Sequence, residues 1–320
     1  MIPRRGSVAA VLGLLVIACT GGATPSPASP SVTASGSPTH ASPEPAASTL
    51  APSSSPEPAV LVGAGDIASC GSNADKATAA LLATIDGTVF TAGDNAYDSG
   101  SALEFVRCYE PTWGAALDRT LPAPGNHEYV TKGAAGYFHY FGAAAGDPSQ
   151  GWYARDVGTW RVYVLNSNCW AVGGCDSGSP QVRWLRDDLA ANPRACTLGI
   201  WHHPLFSSGP HGANITTRPL WQALADAGAE IVVNGHDHDY ERFAPQTAAG
   251  KADPSGIVEF VVGTGGRSHY AIEKTVANSA AHDDDTFGVI EFRLYADRWS
   301  FQFLPVAGSI FTDSGSGTCH

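Results

Sequence analysis

Short apolar runs alternate with stretches of helical period through the first two thirds of this chain's foldable part, and each run stops at a polar side chain or a glycine. Val60-Leu61-Val62, Val89-Phe90, Leu198-Gly199-Ile200-Trp201 and Ile231-Val232-Val233 are too short for helices and rich in β-branched and aromatic residues, which marks them as buried strands. The pattern predicts strands near 59–65, 87–92, 151–155, 160–166, 196–201, 230–234, 257–262, 287–294 and 299–304. It predicts helices over Ala74 to Ala83, Ala102 to Tyr109, Pro180 to Ala191 and Thr217 to Ala227. Strand and helix alternating in this way imply parallel pairing. The last two strands, Val289 to Leu294 and Arg298 to Leu304, read instead as an antiparallel pair turning at Ala296-Asp297. The fold class is α/β.

The residues that end these strands carry the chemistry. Gly65-Asp66 closes the first run, Gly93-Asp94-Asn95-Ala96-Tyr97 the second, and Gly125-Asn126-His127-Glu128 follows Leu121-Pro122-Ala123. His202-His203-Pro204 closes the next, and Gly235-His236-Asp237-His238-Asp239 the last. A single Gly-Asp pair is a common turn former, and a lone histidine is usually a surface or satisfied core residue. Five strands delivering aspartate, asparagine, tyrosine and imidazole to their carboxyl ends are different, because open α/β sheets place ligand crevices there.

This ordered set resembles the calcineurin-like metallophosphoesterases, and three details point to their purple acid phosphatase branch. They are Tyr97 three residues after Asp94, His202 in its His-x-Pro setting, and the extended ending through Tyr240-Glu241-Arg242. Similarity continues through Leu165-Asn166-Ser167-Asn168, Trp184-Leu185 and Val262-Gly263-Thr264-Gly265-Gly266, over roughly residues 59 to 304. One departure is Ala68, where the family has glycine. The resemblance implies two mixed β-sheets packed face to face as a sandwich, with helices outside. It also implies a dinuclear centre in which Asp66, Asp94, Tyr97 and His238 hold one metal and Asp94, Asn126, His202 and His236 the other, Asp94 bridging.

Oxygen donors from Asp, Asn and Tyr suit hard Fe(III), and the imidazole-rich side suits Fe(II), Zn(II) or Mn(II). A tyrosinate balances the extra charge that a trivalent ion brings, so the resemblance implies a tyrosinate-to-iron(III) charge-transfer band in the visible. The implied reaction is hydrolysis of a phosphate monoester by metal-bound hydroxide, of the acid phosphatase type. His127 is the first candidate to protonate the leaving oxygen or stabilise the transition state, with His211 and His203 behind it. Glu128 is expected to anchor its loop, Glu241 to pair with Arg242, and Gly263 to Gly266 to form a tight turn under the site. A phosphodiesterase or nucleotidase on the same metal core is the alternative, since specificity lies in surrounding loops. A non-catalytic surface protein that binds phosphate or metal is the reading from another class.

Composition changes the picture at the ends and in the partners. Arg4 and Arg5, the apolar stretch Val8 to Ile17 and Ala18-Cys19 have the form of an export signal over 1–19, too short for a bilayer span. Val16-Ile17-Ala18-Cys19 looks like a bacterial lipobox, so Cys19 is expected to be lipidated; full secretion is the alternative. Residues 20–58 are nearly all Pro, Ser, Ala, Thr and Gly and predict a disordered stalk ahead of a catalytic domain at 59–320. The expected location is the cell surface or periplasm. The other six of the 7 cysteines are expected as Cys70–Cys108, Cys169–Cys175 and Cys196–Cys319, although six cysteines permit more pairings than sequence can choose between. A net charge of −12 argues against nucleic acid or an anionic membrane surface as the main partner. The expected partner is a small phosphate ester, with no obligatory protein partner and contact to a membrane only through Cys19.

Overall fold

The computed structural model describes residues 57–320. The expected signal at 1–19 with Cys19, and the stalk up to residue 56, lie outside the described residues. Among the described residues no helix is long and apolar enough to cross a membrane.

The strands in chain order are β1 (Ala59–Ala64), β2 (Ala68–Ser69), β3 (Thr88–Ala92), β4 (Ala96–Tyr97), β5 (Thr120–Ala123), β6 (Tyr153–Val157), β7 (Trp160–Val164) and β8 (Thr197–Ile200). They continue as β9 (Ile231–Asn234), β10 (Tyr240–Phe243), β11 (Val258–Val262), β12 (Ser279–Asp283), β13 (Gly288–Leu294), β14 (Arg298–Pro305) and β15 (Ser314–Thr318). The α-helices are α1 (Ala74–Leu82), α2 (Ala102–Glu104), α3 (Ala135–Phe141), α4 (Pro180–Ala191) and α5 (Arg218–Asp226). One sheet has the order β15-β14-β13-β1-β3-β5 and the other β12-β10-β11-β9-β8-β7-β6. In the first, β1, β3 and β5 run parallel while β13 to β15 are antiparallel additions. In the second, β7, β8, β9 and β11 are parallel, with β6, β10 and β12 antiparallel at the edges. These are the two mixed sheets expected.

The continuous apolar runs have a simple cause: both faces of the strands are covered. Along β9, Ile231 and Val233 belong to the core between the sheets, whereas Val232 faces outward to the cluster containing Leu185 of α4 and Trp221 and Leu224 of α5. The sheets meet through aromatic rings. Phe260 of β11 lies 5.3 Å from Phe292 of β13 and 4.8 Å from Phe301 of β14.

Some expectations needed correction. The helix expected at 102–109 is a three-residue α-turn, capped by Ser101 and Glu104, that widens into a π-helix over Phe105–Tyr109. The strand β10, the polar edge strands β12 and β15 and the helix α3 were not legible as elements. β15 reads Ser-Gly-Ser-Gly-Thr and has no apolar signal; pairing with β14 and the bridge at Cys319 hold it in place. All three disulfides have the expected pairing.

Candidate metal centre

The parallel strands β1, β3, β5, β8 and β9 end at one crevice, and the residues just beyond them turn sharply into it. Asp66 (φ 60°), Asp94 (φ 51°) and His236 (φ 76°) all adopt left-handed backbone, a conformation that non-glycine residues keep only where surrounding structure enforces it. The glycines before the motif residues are needed for space. A Cβ at Gly125 would lie 2.1 Å from Asp94 Oδ1, and one at Gly235 would lie 2.4 Å from Asp66 Oδ2. Gly93, Gly125 and Gly235 therefore each make room for another motif's side chain, while Gly65 lets the Ala92 backbone approach. Ala68, the departure from the family pattern, is buried in β2 with its N–H on the Asn95 carbonyl, and the turn accommodates it.

The seven expected donors converge in two groups that share Asp94. On one side the Tyr97 hydroxyl lies 2.7 Å from Asp66 Oδ1, 3.0 Å from Asp94 Oδ2 and 3.2 Å from His238 Nε2. His238 Nε2 is also 3.3 Å from Asp66 Oδ1. On the other side His202 Nε2 lies 3.3 Å from Asp94 Oδ2, 3.0 Å from Asn126 Oδ1 and 3.2 Å from His236 Nδ1. Asp94 Oδ2 thus touches both groups.

This donor set fits cations. His202 Nδ1 faces the Ala92 carbonyl at 2.9 Å, which places its proton there and leaves Nε2 as a lone pair directed at Asn126 and His236. His238 is oriented likewise, its Nδ1 on Ser268 Oγ at 2.7 Å. The field of the site also calls for positive charge. Burial disfavours charge on His202, yet Asp94 lifts it to about 9; burial works against Asp94 too, but His202 and His127 hold its carboxyl below the usual carboxylate range. Burial, Asp66 and Asp94 push the Tyr97 phenol well above its ordinary value, so its ionisation requires a cation to offset both carboxylates.

The surrounding shell is built as firmly. Buried Glu128 accepts N–H groups from Asp94 (3.0 Å), Asn95 (2.8 Å), Ala96 (3.3 Å) and Gly125 (2.7 Å), tying the two loops that present Asp94 and Asn126. Burial and the Asp94 charge raise its carboxyl to about 7 against the pull of those donors. It is the loop anchor expected. Glu241 and Arg242 do not pair, which corrects that expectation: neighbours on strand β10 point to opposite faces. Glu241 accepts from the Ser208 N–H and hydroxyl, and Arg242 is bidentate on Asp313.

The three expected catalytic histidines stand at the rim. His127 places Nδ1 2.6 Å from the Asp98 carbonyl and Nε2 3.8 Å from Asp94 Oδ2, its ring 4.4 Å from that of Tyr97. His211 Nδ1 is 2.8 Å from buried Asp237 Oδ1, a contact that raises its pKa, and its ring is 4.3 Å from His236. His203 is mostly buried and pushed down to about 3 by burial and His202. The Ser167 hydroxyl accepts the His203 backbone N–H at 3.0 Å and lies 2.7 Å from its Nδ1, which fixes the ring. His203 still lies within 4.8 Å of the His202 and His236 donor atoms.

Sequence reasoning missed the contributions of Asp237 and of the segment after Gly266. Arg267 lies 5.0 Å over the Tyr97 ring and pairs with Asp98 at 2.9 Å, a cation at the mouth of an acidic site. Tyr270 stacks on His238 at 4.0 Å. The glycine-rich turn closing β11 at the same crevice was the available signal.

Comparison with known proteins agrees with this geometry. The family model described as calcineurin-like phosphoesterase matches residues 48–240. Purple acid phosphatase 15 of Arabidopsis thaliana is 29% identical over 188 residues, 52% of this chain and 34% of that protein. An uncharacterized protein of Mycobacterium tuberculosis is 32% identical over 188 residues, 46% of this chain and 35% of that one. The chain spans about a third of the length of these relatives. In fold it is similar to a purple acid phosphatase from yellow lupin (Lupinus luteus) seeds, with TM-score 0.66 and 19% identity over 81% of this chain and 53% of that one.

Proposed function

The chain belongs to the calcineurin-like phosphoesterase family, and on that premise we propose that it is an exported acid phosphatase that hydrolyses phosphate monoesters at a dinuclear metal centre. The observation that carries this reading is the junction at Asp94 Oδ2, 3.0 Å from the Tyr97 phenol on one side and 3.3 Å from His202 on the other. Asp66, Asp94, Tyr97 and His238 would hold Fe(III), and Asp94, Asn126, His202 and His236 would hold Fe(II), Zn(II) or Mn(II). Such a pair supplies an acidified water as nucleophile and neutralises phosphate oxygens as charge moves to the leaving group.

The chain's own residues supply the rest. With its Nδ1 on the Asp98 carbonyl, His127 directs Nε2 inward, where it can deliver a proton to the departing oxygen. Asp237 turns the free Nε2 edge of His211 to the cleft in the same way. His203 adds a third imidazole beside His202 and His236, and Arg267 is a fixed cation for a dianionic monoester in a chain of strongly negative net charge.

Three disulfides favour an oxidising compartment, and with the signal-like start they support export, by lipid attachment at Cys19 or by full secretion. The test is turnover of p-nitrophenyl phosphate against its bis-ester by metal-loaded protein. Strong preference for the monoester is expected; preference for the diester would move the assignment to a phosphodiesterase. Absence of turnover of both, from acid to mildly alkaline pH, would leave a binding protein.

A further inference from the structure

A monoesterase site does not by itself specify the alcohol of its substrate, and an exposed apolar rim beside the donor set bears on that choice. Trp170 is 76% exposed, and Val130 and Ile215 are each 65% exposed. All three lie in segments tied to site loops: Val130 follows the Asn126-His127 loop, Ile215 follows His211, and Trp170 sits in the loop closed by Cys169–Cys175.

Trp170 is exposed yet held. Two residues before it, buried Asn168 donates to the carbonyls of Pro124 (3.4 Å) and Gly125 (3.2 Å), immediately ahead of Asn126. The indole meets the Tyr129 ring edge-on at 5.7 Å, and the Tyr129 hydroxyl accepts from Asn166 at 2.7 Å. On the opposite flank Thr216 Oγ1 lies 3.7 Å from Cys169 Sγ, which brings the Ile215 segment alongside. A ring held by a disulfide loop and a T-shaped contact, with most of its surface left to water, is already ordered for stacking and loses little freedom when a ligand arrives.

We propose that Trp170, flanked by Val130 and Ile215, is the leaving-group subsite and selects phosphate monoesters whose alcohol carries a planar aromatic group. The inference rests on the monoesterase reading. Stacking on the alcohol is nearly the same in ground and transition states, so it acts on KM and leaves kcat alone.

Benzyl and n-butyl phosphate test this, because both leave as simple alcohols and differ chiefly in the ring. Wild-type protein should show kcat/KM about tenfold higher for the benzyl ester. In Trp170→Ala that advantage should fall to about threefold or less through KM, and Trp170→Phe should restore most of it. Phenylphosphonate and methylphosphonate, which are not hydrolysed, provide a calorimetric readout independent of turnover. The phenyl compound should bind more tightly to wild type and lose that margin in Trp170→Ala. Equal phosphonate affinities in wild type, or a benzyl advantage that survives Trp170→Ala, would overturn the subsite. Equal affinities together with a Trp170-dependent dimer would assign the rim to self-association. If neither ester turns over while the Trp170-dependent phosphonate margin remains, the platform stands and the monoesterase reading falls.

Discussion

Removing the three disulfides one at a time should separate what holds the fold from what holds the site. The bridges close segments of 38, 6 and 123 residues, and none encloses a cysteine of another. Loop-closure entropy then gives separate contributions of about 4 kcal/mol for Cys70–Cys108, about 2 kcal/mol for Cys169–Cys175 and about 5 kcal/mol for Cys196–Cys319. Urea unfolding of paired Cys→Ala variants, extrapolated linearly, measures these terms. Activity should follow a different order. The Cys169–Cys175 loop carries Trp170, and Asn168 just before it clamps the carbonyls ahead of Asn126. Its loss should lower kcat/KM for p-nitrophenyl phosphate by about tenfold or more, the usual scale for a residue that orients ligands. Cys196 instead precedes β8, at the end of the strand away from His202, so C196A/C319A should keep activity within about twofold while folded. The reasoning fails if the small loop proves the costliest to open, or if opening it leaves kinetics untouched.

Iron-loaded protein should absorb in the visible through Tyr97, and Tyr97→Phe should abolish the band; a spectrum unchanged by that substitution removes Tyr97 from the donor set. His127→Ala and His211→Ala should each lower kcat by about 100- to 10,000-fold with metal content per chain unchanged. A parallel loss of metal would make either residue structural. Asp237→Ala should resemble His211→Ala, since it removes the acceptor that turns the ring. Far from the site, burial raises the Glu230 carboxyl to about 7 even though it accepts N–H groups from Thr197 (2.7 Å) and His320 (3.3 Å). The folded form therefore binds the proton more tightly than the unfolded chain. That contribution is fully present below the unfolded carboxyl value near 4.5 and is lost as pH rises through about 7, a term of at most about 3 kcal/mol. Glu230→Gln should flatten this fall in a series of urea midpoints; an unaltered slope would show that Glu230 titrates normally.

The donor residues were legible in the chain because an apolar run ending in a donor side chain is a local signal, repeated here five times in a fixed order, four times with glycine just before the donor. The covered sheets were legible for the same reason, since strands buried on both faces leave continuous apolar runs. The six folded-domain cysteines paired as expected. Elements without an apolar pattern, such as β15 with its Ser-Gly run, could not be seen, because pairing with a neighbour and not local preference makes them strands.

Sequence alone therefore marked the five strand ends that carry the donor side chains and their order, since backbone geometry at a strand end depends on a few adjacent residues. Only the tertiary structure decided how those side chains are aimed: Asp237 onto His211, Glu128 onto four amides, Arg267 over Tyr97, and Glu241 and Arg242 to opposite faces. Those contacts join residues far apart in the chain, and their partners are chosen by packing that no local pattern encodes.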